Sequence, residues 1–225
     1  MSAVQGGKIM WGKWIGCSVP AAGRERFSEG QRGWAVIAGQ RGLVGQVGGW
    51  DPATGRAHVL GLWSDAGAYR RFMEERHDRV FAGTGGRGGY GAIETADGET
   101  LLDMPGDAAG LPAALGSATL LRVADCRLLP GRAEHFLEVQ RDVWAPGMAA
   151  AGGMLAGTVT SLGDHRRLVT TLWSGPEPHE RYVAGHLPAL RARAGLREDL
   201  HAMTGHLIPL EPGWRVLPVP AVTAG

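Results

Sequence analysis

The sequence predicts an α+β fold made of two tandem β-α-β-β-α-β units whose sheets pack face to face. Three observations carry this expectation. The stretch Gly42 to Ser64, GLVGQVGGWDPATGRAHVLGLWS, recurs without a gap as Gly152 to Ser174, GGMLAGTVTSLGDHRRLVTTLWS, 110 residues later, which marks a duplicated unit. The flanks of both copies repeat the same order of strand and helix patterns. The strands are also apolar on both sides: His58, Leu60 and Leu62 alternate with Val59, Gly61 and Trp63, so neither sheet face suits water.

The elements follow in order. Ile9 to Val19 is strand-like and closes at Pro20 and Gly23. From Arg24 to Ala38 the period becomes helical, with Phe27, Gln31, Trp34 and Ile37 on one face. Leu43–Trp50 and Ala57–Ser64 are strands joined by the turn DPATGR, an antiparallel hairpin. A second helix spans Ala66 to Phe81, and a glycine-rich loop leads to a strand at Tyr90–Thr95. There Ala96-Asp97-Gly98-Glu99 predicts a hairpin turn into Thr100–Met104. The second unit repeats this plan: strand Ala118–Leu128, helix Arg132–Ala151 with Phe136, Gln140, Val143 and Trp144 inward, the hairpin, a helix interrupted by Pro188, and strand His201–Leu210. The expected boundaries are a first unit at 8–104, a linker at 105–117, a second unit at 118–211 and a surface tail at 212–225.

That order is the ferredoxin-like plan, a four-stranded antiparallel sheet with both helices on one face. Two such sheets in one chain can cover each other's bare faces, making an intrachain pseudo-dimer.

Composition narrows the function. Apolar residues make up 44% and charged residues 20% of 225, so each half can bury a core. The 23 basic and 22 acidic residues are interspersed and sum to +1, so neither nucleic acid nor a membrane surface is an expected partner. Cys17 and Cys126 occupy matching first-strand positions and read as buried thiols in a reducing compartment. With no charged leader before an apolar run, and no stretch near the roughly 20 apolar residues of a membrane span, the expected location is cytoplasmic.

The element order, the Leu62-Trp63-Ser64 strand end, and helices with an aromatic followed by His (AYRRFMEERHD and HERYVAGHLPAL) resemble the dimeric α+β barrel superfamily. This superfamily includes antibiotic-biosynthesis-monooxygenase-like and stress-responsive A/B-barrel domains. The first unit, with KWIGC, GQVGGWD and FMEERHD, resembles an uncharacterised bacterial branch. The resemblance implies two tandem ferredoxin-like units forming an intrachain pseudo-dimeric α+β barrel. It also implies a monooxygenase-like or cyclase-like enzyme that takes an apolar aromatic or polyketide-type compound and abstracts a proton without a tightly bound cofactor. Haem binding, and a non-catalytic binding or assembly role, are the alternatives. Association of two chains stays open.

In related cyclases and oxygenases a helical His faces the pocket between helices and sheet, which makes His77 and His186 the expected catalytic bases; an inert helical His is the alternative at each. Trp50, Tyr69 and Tyr182 are candidate donors to a bound substrate. Gln31 and Gln140 each lie between a Phe and a Trp on an inward helical face, and either bind a strand carbonyl or offer an amide to a ligand. For haem, His77, His186, His201 and His206 could each serve as axial ligand. No metal-ligand spacing is present, and no metal is expected. Gly83–Gly88 fits G-x-G-x-x-G by letter, but it follows a helix and precedes a strand, the reverse of the phosphate-binding context, so it reads as a mobile loop bordering the pocket.

Overall fold

The computed structural model describes residues 10–86, 90–195 and 198–219. Eight strands form one antiparallel sheet: β1 (Trp11–Cys17), β2 (Leu43–Trp50), β3 (Ala57–Trp63), β4 (Ile93–Pro105), β5 (Leu120–Leu128), β6 (Met154–Ser161), β7 (Arg166–Trp173) and β8 (Leu200–Pro209). Their spatial order is β2-β3-β1-β4-β6-β7-β5-β8. Each half therefore has the ferredoxin-like order, and the two halves meet edge to edge through β4 and β6.

β4 departs from the expected hairpin. It is one continuous strand of 13 residues. Its first part pairs with β1, with Asp97 opposite Lys13 and Gly98 opposite Gly12, and its second part pairs with β6 from Thr100 to Pro105. Asp97 and Gly98 read as turn residues, yet Gly98 serves a close approach, because a β-carbon there would overlap the Ser161 carbonyl. On the far side, β2 and the stretch after β8 close the barrel through antiparallel bridges Gly49–Leu210 and Gln46–Val216. A β-carbon at Gly49 would overlap the Pro209 carbonyl in the same way.

Strand alternation sorts the side chains into two layers. Inside the barrel, Trp14, Val47, Leu60, Leu62, Leu121 and Ile208 belong to one buried cluster. Two further expectations change here. The linker contains a short helix, α4 (Leu111–Ser117), whose Ala114 and Leu115 are fully buried in that cluster, since its apolar residues fall on one helical face. The tail does not lie on the surface: Trp214 and Val216 are buried, with Trp214 packed on Phe27 and Trp50.

On the outer layer of the first unit lie α1 (Arg24–Gly33), α2 (Ala66–Phe72) and α3 (Asp78–Gly83). Asp65 caps α2 by accepting the Ala68 N–H at 2.8 Å. A π-helical turn, Met73–His77, separates α2 from α3. In the second unit α5 (Ala133–Val139) and α6 (Ala145–Ala149) flank a π turn at Gln140–Trp144. α7 (Pro176–Gly185) and α8 (Leu187–Ala194) break at His186, just before Pro188. Cys17 and Cys126 are buried free thiols, as their strand positions imply. Among the described residues no helix is long and apolar enough to cross a membrane.

The seam at Gly98 has no space for a side chain. Gly98→Ala should cost about 1–3 kcal/mol, the usual penalty of overpacking, read as a lower denaturation midpoint. An alanine variant as stable as the parent would show that β4 and β6 can separate there.

Candidate functional site: a cavity in the first unit

Between the first unit's helices and its sheet lies a cavity of about 360 Å³. Lys13, Ile15 and Cys17 of β1 and Val59, Gly61 and Trp63 of β3 contribute its sheet side, and Phe72, His77 and Phe81 line it from the helices. The walls are mainly aromatic and aliphatic, with a few polar groups turned into them, the usual make-up of a small-molecule site.

The second unit shows why the cavity exists. Position 61 is glycine, whereas its counterpart 110 residues on is Thr171, fully buried, whose hydroxyl accepts the Trp173 indole N–H at 3.0 Å. Leu190 of α8 closes against Gly147, and Phe136, Trp144, Met148, Tyr182 and Leu190 share one buried cluster. In the second unit the space between helices and sheet is thus filled by its own side chains.

Lys13 places a cation on the sheet side of the cavity, which Arg26 also lines. The Lys13 Nζ lies 3.6 Å from Met73 Sδ and 5.2 Å from the centre of the Tyr69 ring. Burial pushes its pKa below the ordinary lysine value, against the pull of Asp97. Asp97 in turn accepts the Trp11 indole N–H at 3.0 Å and the Tyr69 hydroxyl at 3.5 Å. Burial first, and then Asp97, raises the pKa of Tyr69, so this phenol stays protonated. Gln46 lines the cavity, is 8% exposed, and has a buried Nε2 with no hydrogen-bond partner. An amide left so costs free energy unless something accepts from it. The Cys17 thiol is pushed up to about 11 by burial, which removes it as a thiolate nucleophile.

His77 comes from the π turn, a helix irregularity that often marks functional positions. Its Nδ1 is 2.9 Å from Asp78 Oδ1, and its ring is nearly parallel to Phe81, with centroids 5.9 Å apart. Trp34 and Phe72 flank it at 5.8 and 6.0 Å. A carboxylate on one imidazole nitrogen fixes the ring and leaves the other nitrogen to act.

Of the residues singled out from sequence, His77, Tyr69 and Gln31 line this one cavity. Trp50 stands outside it, between Phe27 and Trp214, with the Arg24 guanidinium 4.8 Å over its ring. Gln140 and Tyr182 are buried in the second unit. His186 is half-exposed at the junction of α7 and α8, where its N–H donates to the Tyr182 carbonyl at 2.9 Å. It lines no part of the cavity, because Pro188 ends the helix that would have carried it inward. Gly85 and Gly86 border the cavity; the rest of the expected glycine loop, residues 87–89, lies outside the described residues.

Sequence reading missed Lys13, Gln46 and Asp97, and also His179. Aligning the repeats at 110 residues would have exposed the last, since it pairs Tyr69 with His179 and Phe72 with Tyr182. His179 is 7% exposed, edge-on to Trp173 at 5.1 Å, and its Nε2 has no partner. Burial, followed by the charge of Arg122, pushes its pKa down to about 4.

Two outcomes follow from these environments. The unfolded His179, with a pKa near 6.5, binds a proton more readily than the folded one. Stability should therefore fall as pH drops from about 6.5 towards 4, by at most about 3 kcal/mol from this residue. In His179→Phe, urea melts across that range should show a shallower acid limb; an unchanged limb would remove His179 as its cause. Lys13 acts in the same sense but titrates at higher pH. Its depressed pKa means that folding works against protonation, so Lys13→Met should raise Tm at pH 7 by ~2–4 °C, a gain that shrinks as pH climbs towards about 10.4. A lower Tm would show that the ammonium is compensated in place.

Residues 11–96 match a domain of unknown function (DUF4937). Over 70 residues the chain is 34% identical to the uncharacterized protein YdbC of Bacillus subtilis (strain 168), a match that takes in 29% of this chain and 57% of that protein. The chain thus spans little more than half the length of this curated relative. Among solved structures, a proposed monooxygenase of Fusobacterium nucleatum superposes with a TM-score of 0.72 at 7% identity, covering 90% of this chain and 92% of the other. One from Lactobacillus acidophilus NCFM gives 0.69 at 12% identity, with 91% and 94% covered. An anthrone oxidase-like protein gives 0.63 at 14% identity, with 92% of each chain covered. Likenesses at these identities speak for the fold alone. The chain has the tandem ferredoxin-like fold of the monooxygenase-like α+β barrel proteins, and its first unit matches a domain of unknown function.

Proposed function

We propose that the first-unit cavity binds an aromatic compound with an acidic hydroxyl or enolisable carbonyl, and that His77, backed by Asp78, takes its proton. The observation that carries this reading is the pairing of aromatic walls with two inward donors, the Lys13 ammonium and the unpartnered Gln46 amide. Proton transfer from a phenol of pKa near 10 to a histidine near 6.5 is uphill by roughly 5 kcal/mol. Hydrogen bonds to a charged group contribute about 1.5–3 kcal/mol each, so two donors aimed at the new oxyanion offset most of that cost. The resulting electron-rich anion is the species that reacts with dioxygen, giving a ketone or quinone and water, or closes a ring, without a bound cofactor. The likeness in fold to monooxygenase-like and anthrone oxidase-like proteins supports this chemistry.

Haem is the rival occupant. His77 could supply an axial nitrogen, with Asp78 orienting its ring. The ammonium and orphan amide in the wall suit a small oxyanion better than the apolar face of a macrocycle.

The test is oxygen uptake and product absorbance with anthrone as probe, using the full chain in air. Turnover should saturate and fall on the order of 100-fold in His77→Gln, with a comparable loss in Lys13→Met. Full activity in both variants would overturn the assignment. A sharp Soret band at one haem per chain after adding haemin, lost in His77→Gln, would give the cavity to haem. A rise in Tm with anthrone but no turnover would leave a binding protein.

A further inference from the structure

A second cluster lies on the opposite face of the sheet from the cavity. Asp51 ends the β2 side of the hairpin, His58 is on β3, and His206 comes from β8 of the other unit. One ligand atom from each, an imidazole nitrogen or a carboxylate oxygen, lies within 4.8 Å of the other two. We propose that Asp51, His58 and His206 form a site for a divalent first-row transition ion, held by two imidazoles and one carboxylate across the seam between the units.

Each part of the cluster is prepared for a ligand. Asp51 is 1% exposed, and its turn fixes it: Oδ1 accepts the Ala53 N–H at 2.9 Å and Oδ2 accepts the Thr54 hydroxyl at 2.9 Å. His206 Nδ1 lies 2.8 Å from Asp51 Oδ2. His58 is 3% exposed and stacks on Trp14, with centroids 4.8 Å apart and planes at 9°. Neither of its ring nitrogens has a hydrogen-bond partner, although the Ile15 carbonyl is a weak polar neighbour. Two unpartnered nitrogens on a side chain buried and locked by stacking have no structural role in a satisfied core. They do have one as ligands.

Chemistry and geometry agree. Ligand atoms at ~2.0–2.1 Å from a tetrahedral Zn²⁺ lie roughly 3.3 Å apart, so atoms already within 4.8 Å converge with small rotations. An ion between His206 Nδ1 and Asp51 Oδ2, now 2.8 Å apart, takes the place of their hydrogen bond, and the His206 ring then carries its N–H on Nε2. Burial and the His206 ring push His58 down to about 4, so the ring is neutral at pH 7, as a metal ligand requires. A neutral imidazole keeps a hydrogen on one ring nitrogen and offers the lone pair of the other to an ion, and neither nitrogen of His58 is committed to a hydrogen bond. The nearby cation Arg56 is paired with Glu94 at 3.1 Å. His206 is the most exposed of the three, at 12% of its side chain. Two imidazoles with one carboxylate suit Zn²⁺ or Fe²⁺ and disfavour Ca²⁺ and Mg²⁺, which take oxygen ligands.

The experiment is titration of the chelator-treated full chain with Co²⁺, followed by displacement with Zn²⁺. The expected result is one Co²⁺ per chain with visible ligand-field bands, bleached by Zn²⁺, and a Tm that rises with Zn²⁺. His58→Phe, which keeps the stack on Trp14, and His206→Gln should each weaken binding by 100-fold or more, on the order of or above the loss seen when only an orienting partner is removed. His201→Ala, an exposed change on the same strand, should leave it unchanged. Should His58→Phe fail to fold, His206→Gln answers the same question. No saturable binding, or binding that survives the folded variant, would overturn the site.

Discussion

The continuity of β4 is the constraint on which the rest depends. A two-residue turn at Asp97-Gly98 would have ended the first sheet and left an open edge. Instead the strand pairs first with β1 and then with β6, making two four-stranded sheets one. Once they are joined, their second faces turn towards each other, and the residues on both sides of β3 and β7 are buried. The closing seam is thinner, a pair of bridges at Gly49–Leu210 and Gln46–Val216, with Trp214 and Val216 of the C-terminal stretch buried beside it. Two glycines, one at each seam, let the backbones of the two halves approach.

Closure divides chemistry by strand parity. On β1 and β3, Lys13, Ile15, Val59 and Gly61 turn to the helices and line the cavity, while Trp14 and Leu60 turn into the barrel. His58 shares the inner face and meets His206 of the other unit at a ring separation of 4.6 Å. A shift of one residue in β3 would exchange the two faces and destroy both arrangements. Register is therefore held in common by the core, the cavity and the cluster of histidines.

Duplication has let the units diverge under one scaffold. Gly61 against Thr171, Lys13 against Arg122 and Tyr69 against His179 are the substitutions that separate an open first unit from a packed second one. The packed unit satisfies its indole with a threonine and fills its space with Leu190. The open unit keeps an orphan amide at Gln46 and a partly buried ammonium at Lys13. Such groups weaken a fold, and a ligand in the proposed site would complete them.

The sequence by itself determined the duplicated unit, the order of its strands and helices, and the two-sided burial that demands a barrel. Those features are local, resting on periodicity, turn chemistry and a repeat. His77 and Tyr69 were also legible, since an aromatic and a His near one helical face point the same way wherever the helix goes. What only the tertiary structure decided was long-range. Gly98 reads as a turn until Ser161 approaches it, the tail reads as surface until Trp214 meets Phe27, and His186 reads as inward until the helix breaks at Pro188. Asp51, His58 and His206 show the limit most clearly. The last stands 148 residues from His58, and no spacing rule joins them, because their meeting depends on barrel closure rather than on any local period.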